Sequence, residues 1–227
     1  MCGRYSAVFD AAELASELEA TLAVEALPRH ANLAPSMLAP MLVARPERRI
    51  GLASFGLVPP WADRVTDAGT PKRFVNARAE TLATTRSFRA AAERRRCLLP
   101  ADGFYEWKKE GRKKQPYYLH AKDGHLLTFA GIYEVGHEAG HAAKKPSFAI
   151  VTRPALGFVE TIHDRMPLVI PPALRDAWLS AEDHDAAALV AKLLPLPAVE
   201  LEGWPVSPRL NDPRVDDPSL REPIPFE

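Results

Sequence analysis

The chain has 227 residues, enough for one large domain or two small ones and for a sizeable buried core. An apolar share of 47% beside 26% charged residues is ordinary for a globular protein, and a formal net charge of zero confines any nucleic-acid contact to a local basic surface. Two cysteines exclude a disulfide framework or a cysteine-rich zinc site, no apolar run approaches the ~20 residues of a membrane span, and no basic leader precedes an apolar stretch, so a cytoplasmic protein with free thiols is expected.

In chain order, Asp10 followed by Glu13 predicts a capped helix whose buried face carries Leu14, Leu18 and Leu22. Residues 38–44 and 50–58 read as short strands separated by a charged turn at Glu47–Arg49. Ser87 is placed to cap a helix running to about Arg95, and Cys97–Pro100 reads as a buried strand. Tyr117–His120 and Leu126–Tyr133 flank Asp123-Gly124, a hairpin signal. Phe148–Thr152 is a further strand, residues 156–162 a short helix leading to His163, and residues 173–180 and 184–194 late helices. The tail from Pro205 is proline-rich and is expected to wrap the surface. The 22 prolines favour many short elements with sharp corners over a helical bundle. No internal repeat or long linker divides the chain, which predicts a single domain over 1–227.

The chain begins Met1-Cys2-Gly3-Arg4-Tyr5. A small second residue permits removal of the initiator Met, by an aminopeptidase or by the chain itself, and would leave Cys2 with a free α-amine beside its thiol. An α-amine with a pKa of about 8 is partly neutral at physiological pH and attacks aldehydes; the thiolate then closes the imine into a five-membered thiazolidine. The same pair also fits a second use, in which the amine serves as base for a thiol that attacks an amide. A third reading makes Cys2 a small buried residue near a docked terminus. The residue by itself does not choose among them.

Polar clusters inside apolar contexts recur at Asn32-Leu33-Ala34-Pro35, at Gly56-Leu57-Val58-Pro59-Pro60-Trp61, at Asn76-Ala77-Arg78-Ala79-Glu80-Thr81, at Pro100-Ala101-Asp102-Gly103-Phe104-Tyr105-Glu106-Trp107 and at His163-Asp164-Arg165-Met166-Pro167. With the Met-Cys-Gly-Arg-Tyr start, and over nearly the full chain, they resemble the SRAP family, the SOS-response-associated peptidases or abasic-site processing proteins. The resemblance implies an α+β domain with a curved, mostly antiparallel sheet or barrel-like core and short flanking helices. It implies a monomeric, cytoplasmic protein, associated with the nucleoid on damage, whose partner is single-stranded DNA carrying an abasic site. Its Cys2 would form the thiazolidine crosslink, shielding the lesion, with a lyase activity possible from the imine.

Under that resemblance Asn76 would hold Cys2 and the sugar-phosphate, Glu106 would act as general acid/base in imine formation and in reversal, and His163 would assist opening of the sugar ring. Arg4, Arg78, Arg86 and Arg165 would bind phosphates, and Trp61 and Trp107 would form walls or stacking surfaces. The residue types suit these roles independently. A carboxylate packed between Tyr105 and Trp107 is expected to be partly desolvated, which favours acid/base work. Arginine offers forked donors to phosphate oxygens, and aromatic rings stack on bases without sequence preference. Taken singly, Glu106 also reads as a strand-end residue in a surface ion pair, His163 as a hydrogen-bonded core histidine and Asn76 as a turn cap.

Two positions depart from the family pattern. Phe55 stands where a Trp is usual before the Gly-Leu-Val-Pro segment, and Arg153-Pro154 stands where a polar stretch is common. The basic runs Arg94–Arg96 and Lys108–Lys114 fit either a DNA-facing rim or solvated faces. His137-Glu138-Ala139-Gly140-His141 spells a zinc-protease motif, but Gly136 and Gly140 work against the helix that motif requires, so a surface loop and no metal or organic cofactor are expected. Three rivals to covalent DNA capture remain, one of them a DNA-binding scaffold without covalent chemistry. An N-terminal-nucleophile amidohydrolase would need an oxyanion site, yet the three asparagines are followed by Leu, Ala and Asp and no Asn-Gly occurs. A cysteine peptidase would use Cys2, His163 and Asn76.

Overall fold

The computed structural model describes residues 2–44, 46–63, 72–135, 146–180 and 185–224. In chain order it runs β1 (Arg4–Ala7), α1 (Ala11–Glu17), β2 (Thr21–Leu22), β3 (His30–Leu33), β4 (Leu38–Ala44), β5 (Arg48–Phe55), β6 (Asn76–Arg78) and α2 (Arg89–Arg94). It continues through β7 (Arg96–Ala101), β8 (Gly103–Glu110), β9 (Lys113–Ala121), β10 (Leu127–Glu134), β11 (Ser147–Pro154), β12 (Arg165–Pro167), α3 (Arg175–Leu179), α4 (Ala186–Leu193) and β13 (Leu201–Pro205). Short 3-10 turns link several of these.

The strands form two sheets, one ordered β13-β9-β8-β1-β3 and the other β12-β11-β10-β7-β4-β5-β2, with β6 alongside β11. The larger sheet curls until β5 meets β11 in a short parallel pairing, Ser54 with Ser147 and Phe55 with Phe148. It is therefore barrel-like without closing evenly, and most of its pairings are antiparallel, as the sequence led one to expect. Between the sheets lies a core built from Tyr5, Leu33, Phe55, Phe104, Phe129 and Phe148, all fully buried. A second apolar layer, including Leu14, Leu42, Ile50, Ile132 and Trp178, lies between the larger sheet and the helices. The segment after β13 packs Val206, Leu210 and Leu220 over Tyr105 and Tyr118 as a third, smaller cluster.

Strand alternation in β8 decides the site. Phe104 and Glu106 point toward the larger sheet, whereas Tyr105 and Trp107 point to the opposite face, where the C-terminal segment packs. The expectation that Glu106 sits between its two aromatic neighbours is thus corrected. Glu106 is still only 1% exposed, because it extends the apolar core between the sheets.

Three local expectations also change. Asp10 caps α1 through the Ala12 and Glu13 amides, but the helix stops at Glu17, and Glu19 turns the chain at φ 49°. Leu22 consequently lies in β2 and is 37% exposed instead of completing the buried stripe. Ser87 does not cap α2; Phe88 stands at that position without a side-chain cap. Asp123-Gly124 makes a turn, with Gly124 at φ 73°, but β9 and β10 belong to different sheets, so the turn carries the chain across the core. The hairpin lies one turn earlier, where Glu110 pairs with Lys113 around Gly111-Arg112 and Gly111 takes φ 59°. A glycine first in a two-residue loop is the composition of a II′ turn.

Candidate active site at the N-terminal cysteine

The geometry starts from the pairing of β1 with β8. Arg4 lies opposite Tyr105 and Tyr5 opposite Phe104. The antiparallel direction then leads the residues before Arg4 toward Glu106. Cys2 is 1% exposed there, and its thiol lies beside the buried Glu106 carboxylate. Burial first, and the neighbouring Glu106 charge second, push the Cys2 thiol well above its ordinary value. At rest the sulfur is therefore held protonated.

Asn76 opens β6, and β6 is fixed by parallel pairing of Asn76 with Ile150 of β11. Its side-chain amide donates to the Cys2 carbonyl oxygen at 3.1 Å. His163 follows the 3-10 turn Gly157–Thr161, where its own amide donates to Val159 at 2.9 Å. The Nε2 atom of its ring lies 3.8 Å from Glu106 Oε2. The backbone N–H of Arg165 reaches His163 Nδ1 at 3.0 Å. An N–H can only donate, so this contact makes Nδ1 an acceptor and leaves the ring proton on Nε2, toward Glu106. The exposed Asp164 carboxylate, 2.9 Å from Nδ1, is placed to accept from the ring once it takes a second proton. Four strands and loops far apart in sequence thus bring Cys2, Asn76, Glu106 and His163 into one cluster.

A cleft of about 900 Å³ opens beside this cluster. Glu106, Trp107, Ile162, His163 and Asn211 line it, with Lys109 and Lys114 at its hairpin side. Trp107 is half-buried, and its indole N–H donates to Asn211 Oδ1 at 2.8 Å, which fixes the ring as a wall.

The arginines divide into two kinds. Arg78 and Arg86 are exposed, without ion-pair partners among the described residues. Arg4 and Arg165 are spent on the protein itself. Arg4 donates to Asn32 Oδ1 at 2.7 Å and to the Leu210 carbonyl at 2.8 Å, and burial lowers its pKa. Arg165 grips the Glu80 carboxylate with both terminal nitrogens, and also donates to the Thr152 carbonyl at 2.7 Å. Trp61 is 45% exposed and packs edge-on against Phe74, outside the residues lining the cleft.

Phe55 is fully buried and stacks on Phe148 at 5.2 Å, so it serves the core and leaves no indole donor there. Arg153 turns inward to donate to the Leu194 carbonyl at 2.7 Å, fastening the end of α4. Residues 137–141, with the zinc-protease pattern, lie outside the described residues; no group of His, Cys, Asp and Glu suited to a metal occurs among those described. No described helix is long and apolar enough to cross a membrane.

Two residues with a part in the site carried no functional expectation. Asn32 is fully buried, accepts from Arg4 and donates to carbonyls of the C-terminal segment, including Val215 at 2.8 Å. Glu80 is the counter-ion that holds Arg165 beside His163. Their presence inside repeated polar motifs was a signal; their partners, far along the chain, were not visible.

Known proteins share the sequence and the fold of this chain. The chain is 35% identical over 193 residues to "Abasic site processing protein YoqW" of Bacillus subtilis, covering 84% of each chain. It is 31% identical over 231 residues to "Abasic site processing protein YedK" of Escherichia coli, covering 99% of this chain and 100% of that one. The fold recurs in a crystal structure of a protein from Bacteroides thetaiotaomicron, with a TM-score of 0.86 at 24% identity, over 98% of this chain and 100% of that one. The family model described as "SOS response associated peptidase (SRAP)" matches residues 1–213, and the chain belongs to that family.

Proposed function

We propose that this protein captures abasic sites in single-stranded DNA by forming a thiazolidine between Cys2 and the ring-opened sugar, shielding the lesion. The observation that carries the reading is the gathering of a buried Cys2, held by Asn76, with a buried Glu106 carboxylate that also faces the His163 imidazole. The names of the relatives, which describe abasic-site processing, support the same substrate.

Loss of Met1, by an aminopeptidase or by the chain itself, frees the Cys2 amine. His163 moves the proton of the C1′ hydroxyl toward the ring oxygen, which opens the hemiacetal to an aldehyde. The amine adds to C1′, and Glu106 protonates the departing hydroxyl so that water leaves and an imine forms. Glu106 then accepts the thiol proton, and sulfur closes on the carbon of the protonated imine, whose nitrogen keeps its proton as the ring amine. One water is released for each crosslink, and the same carboxylate serves the reverse path. An imine at C1′ also acidifies the adjacent protons, so a slow β-elimination belongs to this reading. Asn76 keeps the Cys2 backbone in place during these steps.

The deciding experiment is denaturing-gel crosslinking of mass-verified protein, lacking Met1, to single-stranded DNA with one abasic site. A heat-stable adduct that disappears in Cys2→Ala is expected. No adduct from the processed native chain overturns the reading and favours the amidohydrolase and peptidase uses of Cys2.

A further inference from the structure

The charges on the β8–β9 hairpin are unevenly balanced. Residues 108–114 carry five basic side chains and one acidic one in a chain of zero net charge. Within the hairpin Glu110 stands opposite Lys113, and the Lys108 ammonium lies 6.0 Å from the centre of the Tyr117 ring. Lys109 and Lys114 stand directly opposite each other. Like charges at opposed cross-strand positions destabilise a sheet. Neither ammonium has an ion-pair partner among the described residues. Both line the cleft that reaches Glu106 and His163, where the acidic groups facing it are Glu106 and the exposed Asp164.

The same pleat places Trp107 two residues from Lys109, on one face of β8. Its ring is held by Asn211, so a flat apolar surface and two opposed cations form one continuous strip beside the reactive cluster. That is the combination single-stranded nucleic acid selects, a base on an aromatic face and phosphate on neighbouring cations. The cleft volume of about 900 Å³ accommodates a nucleotide.

We infer that Lys109 and Lys114 form a binding site for the phosphodiester backbone on one flank of the abasic residue, with Trp107 stacking the neighbouring base. The inference rests on the capture reading for the identity of the lesion, but not for the presence of the phosphate site. The strip extends from Glu106 in one direction only, along β8 toward the turn, so it meets one flank of the DNA.

The test measures noncovalent binding of a Cys2→Ala protein to single-stranded oligonucleotides holding a stable abasic analogue, with nucleotides on the 5′ side only, the 3′ side only, or both. The Lys109→Gln/Lys114→Gln form is compared with its parent across a salt series, with melting curves to confirm folding. Loss of two phosphate contacts reduces the slope of log affinity against log salt by about 1.4, and the loss is confined to one of the two one-sided oligonucleotides. Lys109→Arg/Lys114→Arg retains the slope and serves in place of the Gln form should that form not fold. An unchanged slope, equal losses on both one-sided oligonucleotides, or a lost slope in the Arg form overturns the site. Absence of the Cys2-dependent adduct in the native chain overturns capture instead, and leaves the salt slope to decide the lysine site separately.

Discussion

The side-chain amide of Asn76 and the carbonyl oxygen of Cys2 are 3.1 Å apart, joining the first strand of a parallel pairing to the segment that leads into β1. Because β6 is anchored on β11, this bond transmits the rigidity of the larger sheet to a residue that precedes the first paired position of β1. Removing it in Asn76→Ala loses a hydrogen bond of about 0.5–1.5 kcal/mol, which corresponds to roughly a 2–12-fold slower capture if it is felt in the transition state. Single-turnover crosslinking reads this directly. An unchanged rate would show that the terminus is held by other contacts.

The Cys2 thiol is raised by burial and, secondarily, by the Glu106 charge. Glu106→Gln removes the second cause and leaves the first. The thiol of that variant therefore ionises at a lower pH than in the native chain, though still above an ordinary cysteine. Thiolate absorbance followed through an alkaline titration, with the Cys2→Ala protein subtracted, measures the shift. A titration that moves upward would mean that Glu106 does not present its charge to the sulfur.

What the sequence disclosed and what it withheld divide along physical lines. Local chemistry was readable: Asp10 does cap α1, β4, β7 and β11 lie where apolar runs placed them, and the turn before His163 forms. Pairing partners were not. Asp123-Gly124 has hairpin chemistry, yet whether the following strand folds back depends on which sheet has an open edge for it, and β10 finds β7 and β11. The four central site residues were singled out by their motifs, whereas the commitments of Arg4 to Asn32 and of Arg165 to Glu80 join positions 28 and 85 residues apart. Composition and spacing carry no record of such distances.

Burial of Cys97 raises its thiol well above the ordinary value. A thiol whose folded pKa exceeds its unfolded one stabilises the fold fully below the unfolded pKa, and that contribution is lost as pH rises through the folded value. Above about pH 8.5 the native protein therefore loses up to about 1.4 kcal/mol per pH unit for this group alone. Cys97→Ala is less stable at neutral pH because it leaves a cavity, but its stability declines less steeply with alkali. Denaturant unfolding at two alkaline pH values distinguishes the slopes; parallel slopes would contradict the buried, protonated thiol.

Arg165 pulls the Glu80 carboxylate below its usual range, chiefly through their hydrogen bonds. A lowered carboxylate contributes stability above its unfolded pKa of about 4.3 and loses it as pH falls through the folded value. Glu80→Gln should flatten the acid limb of the stability profile, modestly because Glu80 is partly exposed. Arg165 also supplies the N–H that orients His163. The same variant is therefore expected to slow capture more than its small stability loss explains, and the pH dependence of its crosslinking rate should change. A rate and pH profile matching the native chain would confine Glu80 to a structural role.

Asn32 holds the C-terminal segment from beneath. Its amide donates to the Val215 and Asp212 carbonyls at 2.8 and 3.2 Å and its oxygen accepts from Arg4, all at a fully buried position. Asn32→Ala leaves those carbonyls and the Arg4 guanidinium short of partners, at a cost on the order of 2–4 kcal/mol. The effect should also reach the cleft, because the loosened segment includes Asn211, which fixes the Trp107 ring. Limited proteolysis ought to cleave within residues 205–222 of the variant while the two sheets stay intact, and Trp107 fluorescence should shift toward that of an exposed indole once Trp61, Trp178 and Trp204 are replaced by Phe in both proteins. Asn32→Asp keeps an oxygen for Arg4 but sets a carboxylate against the carbonyls, so it should release the segment as well. Resistance of both variants to cleavage would show that the apolar contacts of Val206, Leu210 and Leu220 hold the segment without the asparagine.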